Sequence, residues 1–209
     1  MLPVNADKMW GMLKTNDSCE NWRTAECLGY SLWKSHLNDP STMKLPQEIA
    51  NWDGKSVEAL QAIYDCHGLE AEFGTALIPL LKEPALARGA SWLFKRYLEE
   101  GSALASADVK RVFQSLPDLV EWETRLHLLQ SLSYLTIGKR EVKLVETFLR
   151  RCLASDNKFV RAWAYNGFYE LSLQHPQFQA ETDQLLAQAL EDEAASVKAR
   201  VRNILKQRL

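Results

Sequence analysis

Residues 156–174 read DNKFVRAWAYNGFYELSLQ, and the way this stretch recurs along the chain decides the fold. An acid opens it, Val160-Arg161 follow, and apolar or small residues then return at helical steps: Val160, Ala164, Phe168 and Leu171. Side chains three and four apart share one face of a helix, so the pattern predicts a helix that slots between two neighbours.

An acid followed four residues later by an anchor appears again as Asp53/Val57, Glu83/Ala87, Asp118/Trp122 and Glu193/Val197, and more loosely as Asp17/Trp22. The anchors 22, 57, 87, 122, 160 and 197 lie 35, 30, 35, 38 and 37 residues apart, which predicts about six helix pairs. The acid is expected to cap the free N–H groups of the second helix and to complement its dipole. Small residues at Ala90, Ala162, Ala164 and Ala199 are expected to let adjacent helices approach. No single pair can bury its apolar face alone, so the array supplies the core. The frame is read from the last three pairs; in the first three, Leu86-Ala90-Leu93-Tyr97 fits as well as the frame starting at Ala87.

Working outward, helices are expected over about 5–14 and 20–36, then a short one near 46–51, and over 55–66, 69–82 and 85–99. Pro79 is expected to kink the 69–82 helix, and Gly101 to close 85–99. The rest pairs off as 107–116 with 119–135, 139–153 with 157–174, and 177–190 with 194–208. Strand signals are almost absent.

Composition agrees. A chain of 209 residues, 46% hydrophobic, with 9 Gly and 7 Pro, can bury a large core and is neither disordered nor fibrous. The net charge of -2 gives no global reason to expect nucleic acid or an anionic membrane. From Lys139 onward 12 Lys/Arg stand against 9 Asp/Glu, so the C-terminal third is mildly basic. Cys19, Cys27, Cys66 and Cys152 form no CxxC and no metal-ligand spacing, and read as reduced thiols. The N-terminus lacks a signal-peptide pattern and no apolar run is long enough to span a membrane, so a cytoplasmic protein is expected.

These features resemble HEAT-repeat proteins: paired helices, Asp before the second helix, then Val-Arg and a small-residue run. Asp156…Val160-Arg161-Ala162…Ala164 and Glu193…Val197-Lys198-Ala199 carry the likeness best, with 20–29 a vaguer match. The resemblance implies an all-α fold, a right-handed α-α superhelix (HEAT-like solenoid) of about six helix pairs, as one domain over 1–209. It implies a macromolecule-binding scaffold whose second helices line a concave face. More remotely, the chain resembles the DNA alkylation-repair HEAT-like proteins, whose concave face carries Trp, Arg and an Asp. Their catalytic Asp and tryptophans have no counterpart with matching flanks here.

If second helices line the face, positions one and five after each anchor stack into two columns. The first is Arg23, Glu58, Arg88, Glu123, Arg161 and Lys198; the second is Cys27, Ala62, Trp92, His127, Tyr165 and Arg202. Signs alternate along the first through Arg161, which suits inter-repeat ion pairs or Arg-to-turn bonds more than a polyanion groove. The second concentrates aromatic and cationic character, with Arg125 and Arg200 nearby, as a surface that stacks bases or holds an acidic peptide would. Arg88, Trp92, Arg125, His127, Arg161, Tyr165 and Arg202 are therefore the candidate binding residues. Trp10, Trp22, Trp33, Trp52 and Trp163 are expected as packing residues. His127, mid-helix among leucines, reads as a partly buried, satisfied histidine before a general base. No catalytic constellation, phosphate loop, metal motif or cofactor motif is present, so the reading leans away from an enzyme. Another protein is the expected partner, and DNA the alternative.

Overall fold

Helix breakers and periodicity act where the sequence places them. The computed structural model describes residues 45–207, all of whose regular elements are helical. They are α1 Leu45–Ala50, α2 Val57–His67, α3 Phe73–Leu80, α4 Ala87–Glu99 and α5 Ser106–Ser115. Then come α6 Trp122–Ser131, α7 Val142–Leu153, α8 Lys158–Gln174, α9 Gln179–Asp192 and α10 Ala195–Gln207. Short 3-10 turns at Leu116–Asp118, Leu132–Tyr134 and Pro176–Phe178 sit between them. The expected helices at 5–14 and 20–36, with Trp10, Trp22, Arg23 and Cys27, lie outside the described residues.

The packing repeats every second helix. α2 packs on α4, α4 on α6, α6 on α8 and α8 on α10, while α3, α5 and α7 form a second layer. α1–α2, α3–α4, α7–α8 and α9–α10 also pack as consecutive partners. The α5–α6 connection is held differently. Arg151 of α7 donates to the carbonyls of Leu116 (2.6 Å), Pro117 (2.7 Å) and Leu119 (3.4 Å), fixing the 3-10 turn against α7.

α8 lies between two bodies of buried apolar side chains. Val160, Ala164, Phe168 and Leu171 belong to the main core, which runs from Ile49 through α2–α8. Ala162, Tyr165 and Tyr169, on its other flank, pack with Leu186, Val197, Val201 and Ile204 of α9 and α10. Gly167 marks the closest approach: a Cβ there would collide with Leu149 of α7 and crowd Leu132. With both flanks buried, α8 draws its stability from packing on each side.

Several expectations need correction. Val160 and Val197 are fully buried and Ala87 nearly so, but Val57 and Trp122 are 52% and 39% exposed. The buried positions of those helices are Leu60 in α2 and Thr124, Leu128, Leu129 and Ser131 in α6. The acids are not uniform caps. α2 is capped by the Ser56 hydroxyl, which accepts from Ala59 N–H at 3.1 Å, and α8 by Asn157, which accepts from Phe159 N–H at 2.9 Å. Asp53 instead forms the preceding turn, accepting from the N–H groups of Lys55 and Ser56 (2.9 and 2.8 Å). Those bonds hold its carboxyl below the usual range. Asp118 pairs with Lys82 at 2.6 Å. Ala199 is exposed rather than a helix spacer. Pro79 lies inside α3, whose last helical position is Leu80, two residues short of the expected end at 82. Gly101 closes α4 as expected, with φ +85°.

Candidate functional site

Three of the four candidate arginines have internal partners. Arg88 in the first turn of α4 places Nη2 2.8 Å from Glu123 Oε1 in the first turn of α6, and its guanidinium lies 5.3 Å from the Trp52 ring centre. Arg161 grips both Glu193 oxygens, Nε to Oε1 at 2.8 Å and Nη2 to Oε2 at 3.0 Å. Its Nη1 donates to the carbonyls of Ser155 and Asp156 at 2.8 and 3.0 Å. Arg125 donates from Nη2 to the Val120 carbonyl at 2.6 Å. Arg202 is exposed.

Tyr165 is buried, not displayed. Its hydroxyl donates to Glu193 Oε1 at 3.3 Å, completing an Arg161–Glu193–Tyr165 cluster between α8 and the α9–α10 turn. Burial, then the Glu193 charge, pushes its phenol up to about 12, while the Arg161 bond holds the Glu193 carboxyl below the usual range. The cluster fastens helices together and offers no free hydroxyl for chemistry.

His127 also faces inward. Its Nδ1 lies 2.9 Å from the Ser91 hydroxyl, and that hydroxyl donates to the Arg88 carbonyl at 3.0 Å. Serine has one proton to give, so Nδ1 carries the hydrogen and donates to Ser91. Burial, then the charges of Lys95 and Arg88, lowers its pKa to about 4, so the imidazole is neutral at pH 7. His127 and Tyr165 therefore share no column: one meets α4, the other the α9–α10 turn. Trp92 is half-buried against the main core.

Other half-buried groups lie along the even-numbered helices, at the edge of the main core. The Arg200 guanidinium of α10 lies 3.9 Å over the Trp163 ring of α8, and burial lowers the Arg200 pKa. Glu170, seven residues after Trp163, is half-buried with no ion pair among the described residues, and burial alone raises its pKa. Along α4, Trp92 is half-buried and Lys95 pairs with Glu99 at 3.0 Å, and along α6 Leu126 and Gln130 are half-buried. The strip mixes aromatic, cationic, acidic and amide groups. Glu170 was within reach of sequence reasoning, since positions 163, 166/167 and 170 of α8 share one face, and Arg200 falls near the second column.

Among the described residues no group of His, Cys, Asp and Glu is arranged to hold a metal ion, and no helix is long and apolar enough to cross a membrane. Cys152 is buried and its thiol pushed up to about 12, which leaves it unreactive. No protein-family model, no curated protein and no solved structure matches the chain.

Proposed function

We propose that the chain is a HEAT-like binding scaffold that takes another protein along the even-numbered helices. In this reading the array coils as a right-handed superhelix with that layer on its concave side. One observation carries it: Glu170 and Arg200 are desolvated charges on adjoining helices, without an ion pair among the described residues, beside a half-buried tryptophan over which Arg200 stacks. Such charges are costly to keep unless something outside the helix layer uses them. A protein surface offering a donor to Glu170, an acid to Arg200 and an apolar group to Trp163 matches them.

The same strip argues against the DNA alternative. A polyanion requires unpaired cations of one sign, whereas Arg88 and Arg161 are neutralised by Glu123 and Glu193. Glu170 would face the phosphates.

The test uses a tagged full chain to retain a partner from its own cells, set against Trp163→Ala, Glu170→Ala and Arg200→Ala. A partner retained by the wild type and by Lys110→Ala in the other layer, but lost from the strip variants at unchanged helical content, supports the proposal. Tight duplex-DNA binding that weakens steeply with salt would replace it with the DNA-binding function.

A further inference from the structure

In the other layer, α5 and the loop before α7 enclose a cavity of about 280 Å³. Leu104, Val109 and Phe113 make it largely apolar, Thr136 and Glu141 supply acceptors, and Lys110 stands at its edge. Glu141 is the unusual member. Its residue is only 9% exposed, yet its carboxylate makes no hydrogen bond or ion pair among the described residues. It precedes α7 without capping any N–H.

Two further features place the carboxylate. A Cβ at Gly138 would meet Glu141 Oε2, so the carboxylate lies directly against the bare backbone of residue 138. The loop is also braced from α8. Ile137 N–H donates to Gln174 Oε1 at 2.8 Å, Gln174 Nε2 to the Leu135 carbonyl at 3.1 Å, and His175 Nε2 to the Ile137 carbonyl at 2.8 Å. A buried carboxylate with open lone pairs, on a rigid loop beside an apolar cavity, is half of a charge-assisted hydrogen bond.

We propose that this cavity binds a small primary amine: the ammonium on the Glu141 carboxylate, its hydrocarbon body against Leu104, Val109 and Phe113. The volume suits a short alkyl chain and no more. This inference stands apart from the scaffold proposal.

The experiment is a titration of the ¹⁵N-labelled full chain at pH 7 with n-butylammonium, and with n-butanol as the neutral molecule of the same shape. Saturable shifts of the Gly138, Glu141 and Val142 amides are expected with the amine alone. Glu141→Gln should weaken binding about tenfold or more, the scale of one charged hydrogen bond. Gly138→Ala should weaken it as well, by displacing the carboxylate. Equal shifts with butanol, no saturation, or undiminished affinity in a folded Glu141→Gln chain would overturn the proposal. Should that variant fail to fold, the amine-against-alcohol contrast on the wild type decides alone.

Discussion

Arg161→Ala removes four hydrogen bonds at once: two to Glu193 and one each to the Ser155 and Asp156 carbonyls. It also leaves the Glu193 carboxylate covered, with only the Tyr165 hydroxyl and Ala194 N–H directed at it. Removing one partner of a fully buried pair costs about 3–5 kcal/mol. Here the Arg161 and Glu193 side chains keep 21% and 13% of their exposure, so water takes up part of the loss. The expected cost is about 2 kcal/mol, or a Tm lower by about 4–8 °C for a chain of this size. Urea unfolding followed by circular dichroism measures it, with Glu193→Ala and the double variant completing a cycle. Arg161 holds the Glu193 pKa below its unfolded value. The contribution is therefore complete above the unfolded pKa and disappears as pH falls through the folded one. The gap between wild type and variant should persist at pH 7 and close in acid. A loss under about 0.5 kcal/mol, the scale of an exposed pair, or a cycle without coupling, would refute the reasoning.

The two well-placed histidines should pull stability in opposite directions with pH. His127, with a folded pKa of about 4, should destabilise the fold on the order of 3 kcal/mol as pH falls from its unfolded pKa toward 4, and His127→Gln should flatten that slope in urea titrations. His67 bridges Glu48 and Glu70 at 2.9 Å each; burial opposes its charge, but the two hydrogen bonds outweigh it and raise the pKa. Its contribution should be full below the unfolded pKa and lost as pH rises through the folded one, and His67→Gln should remove that dependence. Asn157→Ala should cost about 1 kcal/mol as a lost cap while Asp156→Ala changes little, by the same unfolding assay. Gly167→Ala should destabilise by about 1–3 kcal/mol, because its methyl has no room beside Leu149.

Most helices were legible because breakers and a 3.6-residue period are local signals: 85–99 against Ala87–Glu99, 157–174 against Lys158–Gln174. Facing was less so. In α6 the buried position is Thr124, not Trp122, and a two-residue slip turns a helix by about 200°. That slip sent His127 and Tyr165 to one supposed column when they meet different neighbours. Tyr165 was misread for a second reason. A helix packed on both sides has little free flank, and aromatic character alone does not tell a second core face from an open one. Caps were misassigned because Asp beside Asn157, or before Ser56, offers the same acceptor chemistry, and backbone geometry picks between them. Glu141 was invisible, since nothing local marks an acid before a helix as buried.

The division of buried side chains by α8 has a consequence for motion. The α9–α10 pair rests on its own small cluster, touching the main one through partly buried Leu153 and Leu185. It can open as a separate cooperative unit, exchanging its amide hydrogens well before α4, α6 and α8 do. Arg200 belongs to that unit and Trp163 to the slower one. A ligand spanning both would tie the two units together, and its affinity would carry the cost of suppressing that opening.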